Sequence, residues 1–329
     1  MKVNHKSIMF LFCALVVTVG WKYLSDVQGG FWAKECLRIV DQDGKPVQDA
    51  EIYGGFVTGH GLNDYTPVRG TTDAKGRFTA QGRTIDQLSI QVFKEGFYPT
   101  KAVFKYGDSG LDVTRRNSFE EGGKWQPYGQ THELVLKRIV DPVALCRPCV
   151  SVKIPVYDEW VGFDIEVGKW VPPYGDGRHS DVLLRFRQDV KQRWFDFTAS
   201  MDVSFTNMPY AGFYRKLKDE HSEFVTVYHA DSNEVYQTTQ SFKQEVHNGA
   251  QMNTGLTASA YLVFRTRTKT DENGKLLSAH YGVIRGPWNF YGGMSAGFMF
   301  NPQPNDVNLE DKETARLARL HYKQYRENP

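Results

Sequence analysis

Residues 68–82 read VRGTTDAKGRFTAQG, two short strand-like runs on either side of Asp73-Ala74-Lys75-Gly76. An aspartate that satisfies its own turn, followed by a glycine that supplies positive φ, is the chemistry of a tight hairpin. The same punctuation stands upstream, where CLRIVD (36–41) meets Gln42-Asp43-Gly44 and PVQDAEIYGGFV (46–57) follows. Downstream, LSIQVFKEGFY (88–98), TKAVFKY (100–106) and HELVLKRI (132–139) complete about seven strands. Leu88, Ile90 and Val92 alternate, as do Leu134 and Leu136, so these strands bury one face. Residues 31–140 are therefore expected to form a β-sandwich.

Composition agrees with a β-rich chain. The 329 residues suggest two domains. Lys+Arg 40 against Asp+Glu 38 leaves a net charge of +2, and no basic stripe marks a nucleic-acid footprint. Hydrophobic residues at 40% suffice for real cores, and 21 Phe, 17 Tyr and 7 Trp favour sheets over helical bundles.

The second half reads the same way. Asp141 to Pro155 lacks periodicity and is expected to be a linker (141–155) before a second β-rich domain (156–329). Strands are expected at 160–170, 181–190, 195–206, 223–229, 258–269, 278–286 and 295–302, with a hairpin at Asp271-Glu272-Asn273-Gly274 and a helical turn at KLKDEH (216–221). From Leu309 to Arg326 the pattern turns helical, with acids at the start and bases at the end, and Leu317, Leu320 and Gln324 on one face. The predicted fold class is all-β, closing on a C-terminal helix.

Several motifs occur in order: Val40-Asp41, Gly44-Lys45-Pro46-Val47, Ala50, Thr72-Asp73-Ala74-Lys75-Gly76-Arg77-Phe78 and Lys94-Glu95-Gly96-Phe97-Tyr98. The series resembles that of carboxypeptidase regulatory-like domains, over residues 35–140. The resemblance implies a prealbumin-like (transthyretin-like) β-sandwich, a non-catalytic module common in exported bacterial proteins. The chain departs from the compact form by an insertion near 107–130, polar and Gly-rich, expected as a solvated loop. Two further blocks, Gly162-Phe163-Asp164 through Gly168-Lys169-Trp170-Val171-Pro172-Pro173-Tyr174-Gly175 to Asp181, and Asn301-Pro302-Gln303-Pro304-Asn305-Asp306-Val307-Asn308-Leu309-Glu310, are similar to blocks of uncharacterised exported bacterial proteins with that module upstream. Lys169 stands where that group usually carries an acid. The resemblance brings no activity with it.

Lys2 and Lys6 precede an apolar run from Ile8 to Trp21, the pattern of an export signal. Residues 1–30 are expected to be either a cleaved signal or an N-terminal anchor held in the membrane by residues 8–21, which sends the chain to the periplasm or cell envelope. Cys36, Cys146 and Cys149 are then disulfide candidates, as a pair within Cys146-Arg147-Pro148-Cys149 or from Cys36 to one of its members. The Pro-containing flanks offer no helix end to activate a thiolate for redox chemistry.

Other chemistry fails on spacing. Gly293-Met294-Ser295-Ala296-Gly297 is formally G-x-S-x-G, with Asp306 and His321 downstream, but no βαβ pattern surrounds it. No histidines fall in H-E-x-x-H spacing, which removes the zinc site of a hydrolase. Asp41-x-Asp43-Gly44 opens like a calcium loop but lacks its later ligands, so it reads as a turn. Asp164, Asp176, Asp181 and Asp306 remain as carboxylates for ligand binding if they meet in space, and Trp160, Trp170, Tyr174, Trp194 and Trp288 as either core or a stacking platform. Asp164, Trp170, Tyr174, Asp181 and Asp306 are the candidate ligand-binding residues. No catalytic residue, metal or cofactor is expected. The reading is an exported non-catalytic binding or structural protein whose partner is an envelope glycan or protein, with no nucleic acid and no membrane contact beyond the N-terminal segment. The alternative is an envelope or polysaccharide hydrolase using those carboxylates.

Overall fold

The computed structural model describes residues 29–61, 64–107, 119–206, 210–219, 221–253 and 255–327. Residues 1–28 of the expected export segment (1–30) therefore lie outside the described residues. The protein is all-β with one helix, and it divides into two compact units. The first runs to Ile139 and takes in His221–Glu223 and the chain from Ala318; the second holds Val140–Glu220 and Phe224–Leu317.

In the first unit the strands are β1 (Phe31–Asp41), β2 (Glu51–Val57), β3 (Tyr65–Thr71), β4 (Arg77–Thr84), β5 (Gln87–Phe93), β6 (Thr100–Lys105), β7 (Phe119–Glu121), β8 (Lys124–Gln126) and β9 (Gln130–Leu136). One sheet runs β3-β2-β5-β6. The other runs β4-β1-β8-β7, with β9 parallel to β1 along its C-terminal half. Leu37, Ile39, Ile52, Phe56, Leu88, Ile90, Val92, Leu134 and Leu136 form a single buried cluster, as the alternation requires.

The aspartate turns explain themselves atom by atom. Asp73 Oδ1 accepts the N–H groups of Lys75 (2.8 Å) and Arg77 (2.7 Å), and Gly76 sits at φ +70°. Asp41 repeats the arrangement with Asp43 and Lys45, both at 2.9 Å, so these oxygens serve their own backbone.

The insertion corrects the expectation of a purely solvated loop. It contributes β7 and β8, and Trp125 is buried, donating its indole N–H to Thr84 O at 2.9 Å and meeting Phe31 edge-on at 5.3 Å. A polar, Gly-rich segment thus delivers one core aromatic, which average composition conceals.

The second unit contains β10 (Cys149–Val152), β11 (Trp160–Asp164), β12 (Lys169–Trp170), β13 (Val182–Gln192), β14 (Asp196–Phe205), β15 (Gly212–Leu217), β16 (Thr239–His247), β17 (Ala250–Asn253), β18 (Ala260–Thr270), β19 (Leu276–Asn289) and β20 (Met294–Phe300). Their sheets run β12-β11-β13-β14-β16-β17 and β10-β20-β19-β18-β15. Phe163, Leu184, Met201, Phe242, Leu262, Phe264, Ile284 and Phe298 join both sheets in one core. The five-stranded sheet is covered on its other face too, where Tyr261, Val263, Tyr281, Val283 and Met299 meet Tyr214, Tyr236 and Leu309. Burial on both faces explains the unbroken buried run Ala260–Phe264.

Three local expectations are corrected. Residues 223–229 form no ladder strand, although Phe224 and Thr226 are buried in alternation. Residues 216 and 217, the start of the helical turn expected at 216–221, instead end strand β15, whose backbone pairs with β18 from Gly212↔Arg265 to Leu217↔Ala260. The helix α1 (Lys312–Glu327) presents a different stripe: Leu317 and Leu320 are exposed, while Ala315 and Ala318 are buried. Asp311, with its Oδ2 accepting Thr314 N at 2.9 Å, is the N-cap, which places the helix start three residues later than the pattern suggests.

Candidate functional site

Two of the candidate carboxylates do meet, and they meet on a cation. Asp164 ends β11 and Asp181 precedes β13, and both side chains are almost fully buried. Between them lies Arg267 of β18. Its Nε reaches Asp181 Oδ1 at 2.8 Å, its Nη2 reaches Asp181 Oδ2 at 3.0 Å and Asp164 Oδ1 at 3.2 Å, and its Nη1 reaches Glu166 Oε2 at 2.5 Å. The guanidinium also lies 4.6 Å over the Phe300 ring.

The remaining oxygen capacity is consumed by the backbone. Asp164 Oδ2 accepts the N–H groups of Arg178 (2.8 Å) and His179 (3.0 Å), and Asp181 Oδ2 accepts that of Ile165 at 3.0 Å. Burial pushes the Asp181 carboxyl up, against the opposing pull of Arg267. Burial works equally against the Arg267 charge, but its bonds to Asp181 and Glu166 win and hold it protonated. This geometry closes a fold rather than opening a site for calcium or acid–base work. Among the described residues no group of three His, Cys, Asp or Glu side chains is arranged to hold a metal ion.

The other candidates lie apart from this cluster in role. Asp306 Oδ1 accepts Asn308 N at 2.9 Å inside a strap in which Asn301 Nδ2 donates to Asp306 O and Asn308 O, and Asn308 Nδ2 donates to Asp141 O. Glu310 ends the strap, its carboxylate taking the N–H groups of Val140 (2.9 Å) and Asp141 (2.7 Å). The Asn-rich block is therefore structural, and Asp306 is corrected from ligand group to turn residue. Trp170 is corrected as well: it is buried, edge-on to Phe163 and Phe186, with Nε1 donating to Lys153 O at 2.9 Å. Tyr174 is exposed on the following turn, and Lys169 pairs with Asp176 at 2.7 Å. Cys36 and Cys146 are free thiols, so neither expected disulfide involving them is formed; Cys36 Sγ instead accepts from Thr79 Oγ1 across the β1–β4 ladder. Ser295 lies in β20, register-paired with Ser151 and Asn289, with no turn of nucleophile-elbow type.

An open cleft of 520 Å³ is found elsewhere in the second unit. Trp194, at φ +65° in the hairpin between β13 and β14, is 63% exposed and meets Tyr291 edge-on at 4.7 Å. Tyr291 in turn stacks on Phe197 at 3.7 Å and 13°. Val152, Val246 and Met294 complete the apolar lining, and Gly292 and Gly293 leave the mouth without side chains.

The polar rim is uncharged. Gln244 is locked: its Nε2 donates to Trp288 O (3.4 Å) and Asn289 Oδ1 (3.2 Å), and its Oε1 accepts Phe290 N at 3.2 Å. This fixes Asn289, whose amide oxygen is engaged while its Nδ2 makes no hydrogen bond among the described residues. Ser151 and Ser295 add hydroxyls. Of these residues only Trp194 was legible as a candidate aromatic. The signal for the rest was Asn289-Phe290-Tyr291-Gly292-Gly293, an amide and an aromatic running into two glycines.

No family model matches the chain. No curated protein matches it either. Similar solved structures include 3-chlorocatechol 1,2-dioxygenase from Rhodococcus opacus 1CP, 16% identical, covering 33% of this chain and 61% of that one at a TM-score of 0.27. The chain thus spans about three fifths of the length of that enzyme. A protein of Bacteroides uniformis ATCC 8492 described as carbohydrate-binding is 9% identical, covering 84% and 99% of the two chains at a TM-score of 0.19. The major pilin subunit of Bacillus cereus is 12% identical, covering 86% and 97% at a TM-score of 0.22. Similarity of this degree carries no argument about activity.

Proposed function

We propose that this chain is an exported, non-catalytic protein of the bacterial cell envelope that binds a neutral glycan in the cleft of its second unit. The observation that carries the reading is the exposed ring of Trp194, held edge-on to Tyr291, beside the fixed amide of Asn289. Sugar rings offer apolar C–H faces and directional hydroxyls, and a cleft with both features and no charged lining suits a neutral ring better than an ion. Export rests on the Lys2/Lys6 start and the apolar run that follows. The first unit is read as a prealbumin-like module from the ordered motifs between residues 40 and 98 and from its two-sheet architecture. Among the described residues no helix is long and apolar enough to cross a membrane.

The test is a thermal-shift and calorimetric screen of the full chain against neutral oligosaccharides, since a specific ligand raises the melting temperature by mass action. At least one is expected to bind saturably, with Trp194→Ala and Tyr291→Ala each weakening it roughly tenfold. Binding that ignores both substitutions, or no binding to any neutral glycan, would overturn the reading. Cleaved products detected by mass spectrometry would favour the hydrolase alternative instead.

A further inference from the structure

A second cavity of the same unit has the opposite character. It is an open recess of 630 Å³, and its lining includes Arg178, His179, Lys269 and His280 together with the hydroxyl of Ser278, while the Thr206 hydroxyl on the same wall donates to Ser180 O at 2.6 Å. One acid, Asp181, reaches it among the described residues, and that carboxylate is already spent. Its Oδ1 accepts Arg267 Nε and Thr266 Oγ1, and its Oδ2 accepts Arg267 Nη2 and Ile165 N. Asp176, whose charge also acts on Arg178, is hydrogen-bonded to Lys169 at 2.7 Å. Arg178 and Lys269 make no ion pair among the described residues. Positive charge therefore faces the cavity without an internal partner.

The surrounding backbone holds these groups in place. The N–H groups of Arg178 and His179 are pinned by Asp164 Oδ2, so the loop that carries both side chains is tied to the buried Arg267 cluster. On the opposite wall Arg267 adopts φ +51° at a bulge between Thr266 and Lys269, and Lys269 re-enters the ladder opposite Ser278. A bulge redirects the residues that follow it, here Thr268 and Lys269 onto the cavity. His280 is oriented by its Nδ1, which donates to Asn301 O at 3.2 Å, and by stacking on Phe300. Strained backbone and a buried ion cluster together build a rigid, cationic, hydroxyl-lined recess.

We infer that this recess binds a tetrahedral oxyanion, the sulfate or phosphate ester of a larger ligand. Guanidinium, ammonium and hydroxyl donors converging on a cavity match an anion with three or four acceptor oxygens. The lining shares no residue with the aromatic cleft, so the inference stands apart from the neutral-glycan reading.

The experiment titrates the full chain with inorganic sulfate, with inorganic phosphate and with chloride at one low ionic strength, where screening is weakest. Saturable binding of sulfate or phosphate is expected, with the better of the two naming the ester. Arg178→Gln combined with Lys269→Gln is expected to weaken it roughly tenfold or more, and Trp194→Ala to leave it unchanged. Both cationic side chains are exposed, and Lys269→Glu offers a second, single-site variant expected to abolish binding. Heats equal to those of chloride, or affinity unaltered in the double variant and in Lys269→Glu, would overturn the inference.

Discussion

Two regions of the second unit gather polar groups against aromatic rings, and they differ in what is left over. Around Arg267, both buried aspartates have every oxygen occupied by a guanidinium, hydroxyl or backbone donor, and the cation covers Phe300. In the cleft, Gln244 is equally saturated, but it holds Asn289 with its amide N–H groups free and leaves Trp194 exposed. Convergence of acids is thus a poor mark of chemistry when a cation sits at its centre. Function is better sought where a saturated network supports an unsaturated group.

The sharpest way to break this contrast is Arg267→Met. Removing the guanidinium strands Asp164, Asp181 and Glu166 beside one another in low dielectric, and the expected loss is about 3–5 kcal/mol by denaturant titration. Adding Asp164→Asn and Asp181→Asn should recover part of that loss, because the uncompensated charge rather than the missing contact dominates it. A loss under about 1 kcal/mol would mean that the cluster is not the lock described. Trp194→Ala is the counterpart. Its ring is mostly solvent-exposed, touching Tyr291 edge-on with the Arg193 guanidinium 5.8 Å over its face, so stability should fall by less than about 1 kcal/mol while glycan binding weakens roughly tenfold. A large destabilisation there would make Trp194 a core residue and remove the distinction.

Legibility followed the same division. The strands of the first unit were readable because their turns are local chemistry: Asp41 and Asp73 each cap a turn that closes on a positive-φ glycine, Gly44 and Gly76, within four residues. Strand β16 was missed because its buried positions alternate Phe242 with Gln244, and a glutamine in that row breaks the apolar signal. The run EFVTVYH misled in the opposite direction. Its alternation predicts burial, which holds for Phe224 and Thr226, but not hydrogen-bonded neighbours. Asp164 and Asp181 were legible only as two of four aspartates that could meet in space, whereas Arg267 sits 86 residues beyond Asp181, in a strand whose alternation gives no sign of it. A long-range ion pair has no local period, so spacing cannot announce it.

The smallest expected effect repeats the contrast within one turn type. Asp41 and Asp73 both satisfy two backbone N–H groups, but Asp41 alone also receives Arg138 Nη2, at 2.6 Å, on a fully buried side chain. Burial pushes the Asp41 carboxyl up, and the Arg138 hydrogen bond with the Lys45 and Asp43 N–H groups outweighs it, leaving it below the usual carboxylate range. A depressed folded pKa contributes stability above the unfolded value near ~4, and that stability is lost as pH falls through the lower folded value. Asparagine keeps an oxygen for the turn and loses only the charge opposite Arg138. Asp41→Asn should therefore cost about 1 kcal/mol at neutral pH, a modest figure because Arg138 is itself half-exposed. The wild-type and Asp41→Asn stability curves should converge on acidification, whereas Asp73→Asn, without a guanidinium partner, should alter the acid limb less. An Asp41→Asn deficit that persists unchanged below the carboxylate range would assign Asp41 a packing role and place it with the core rather than with the charged network.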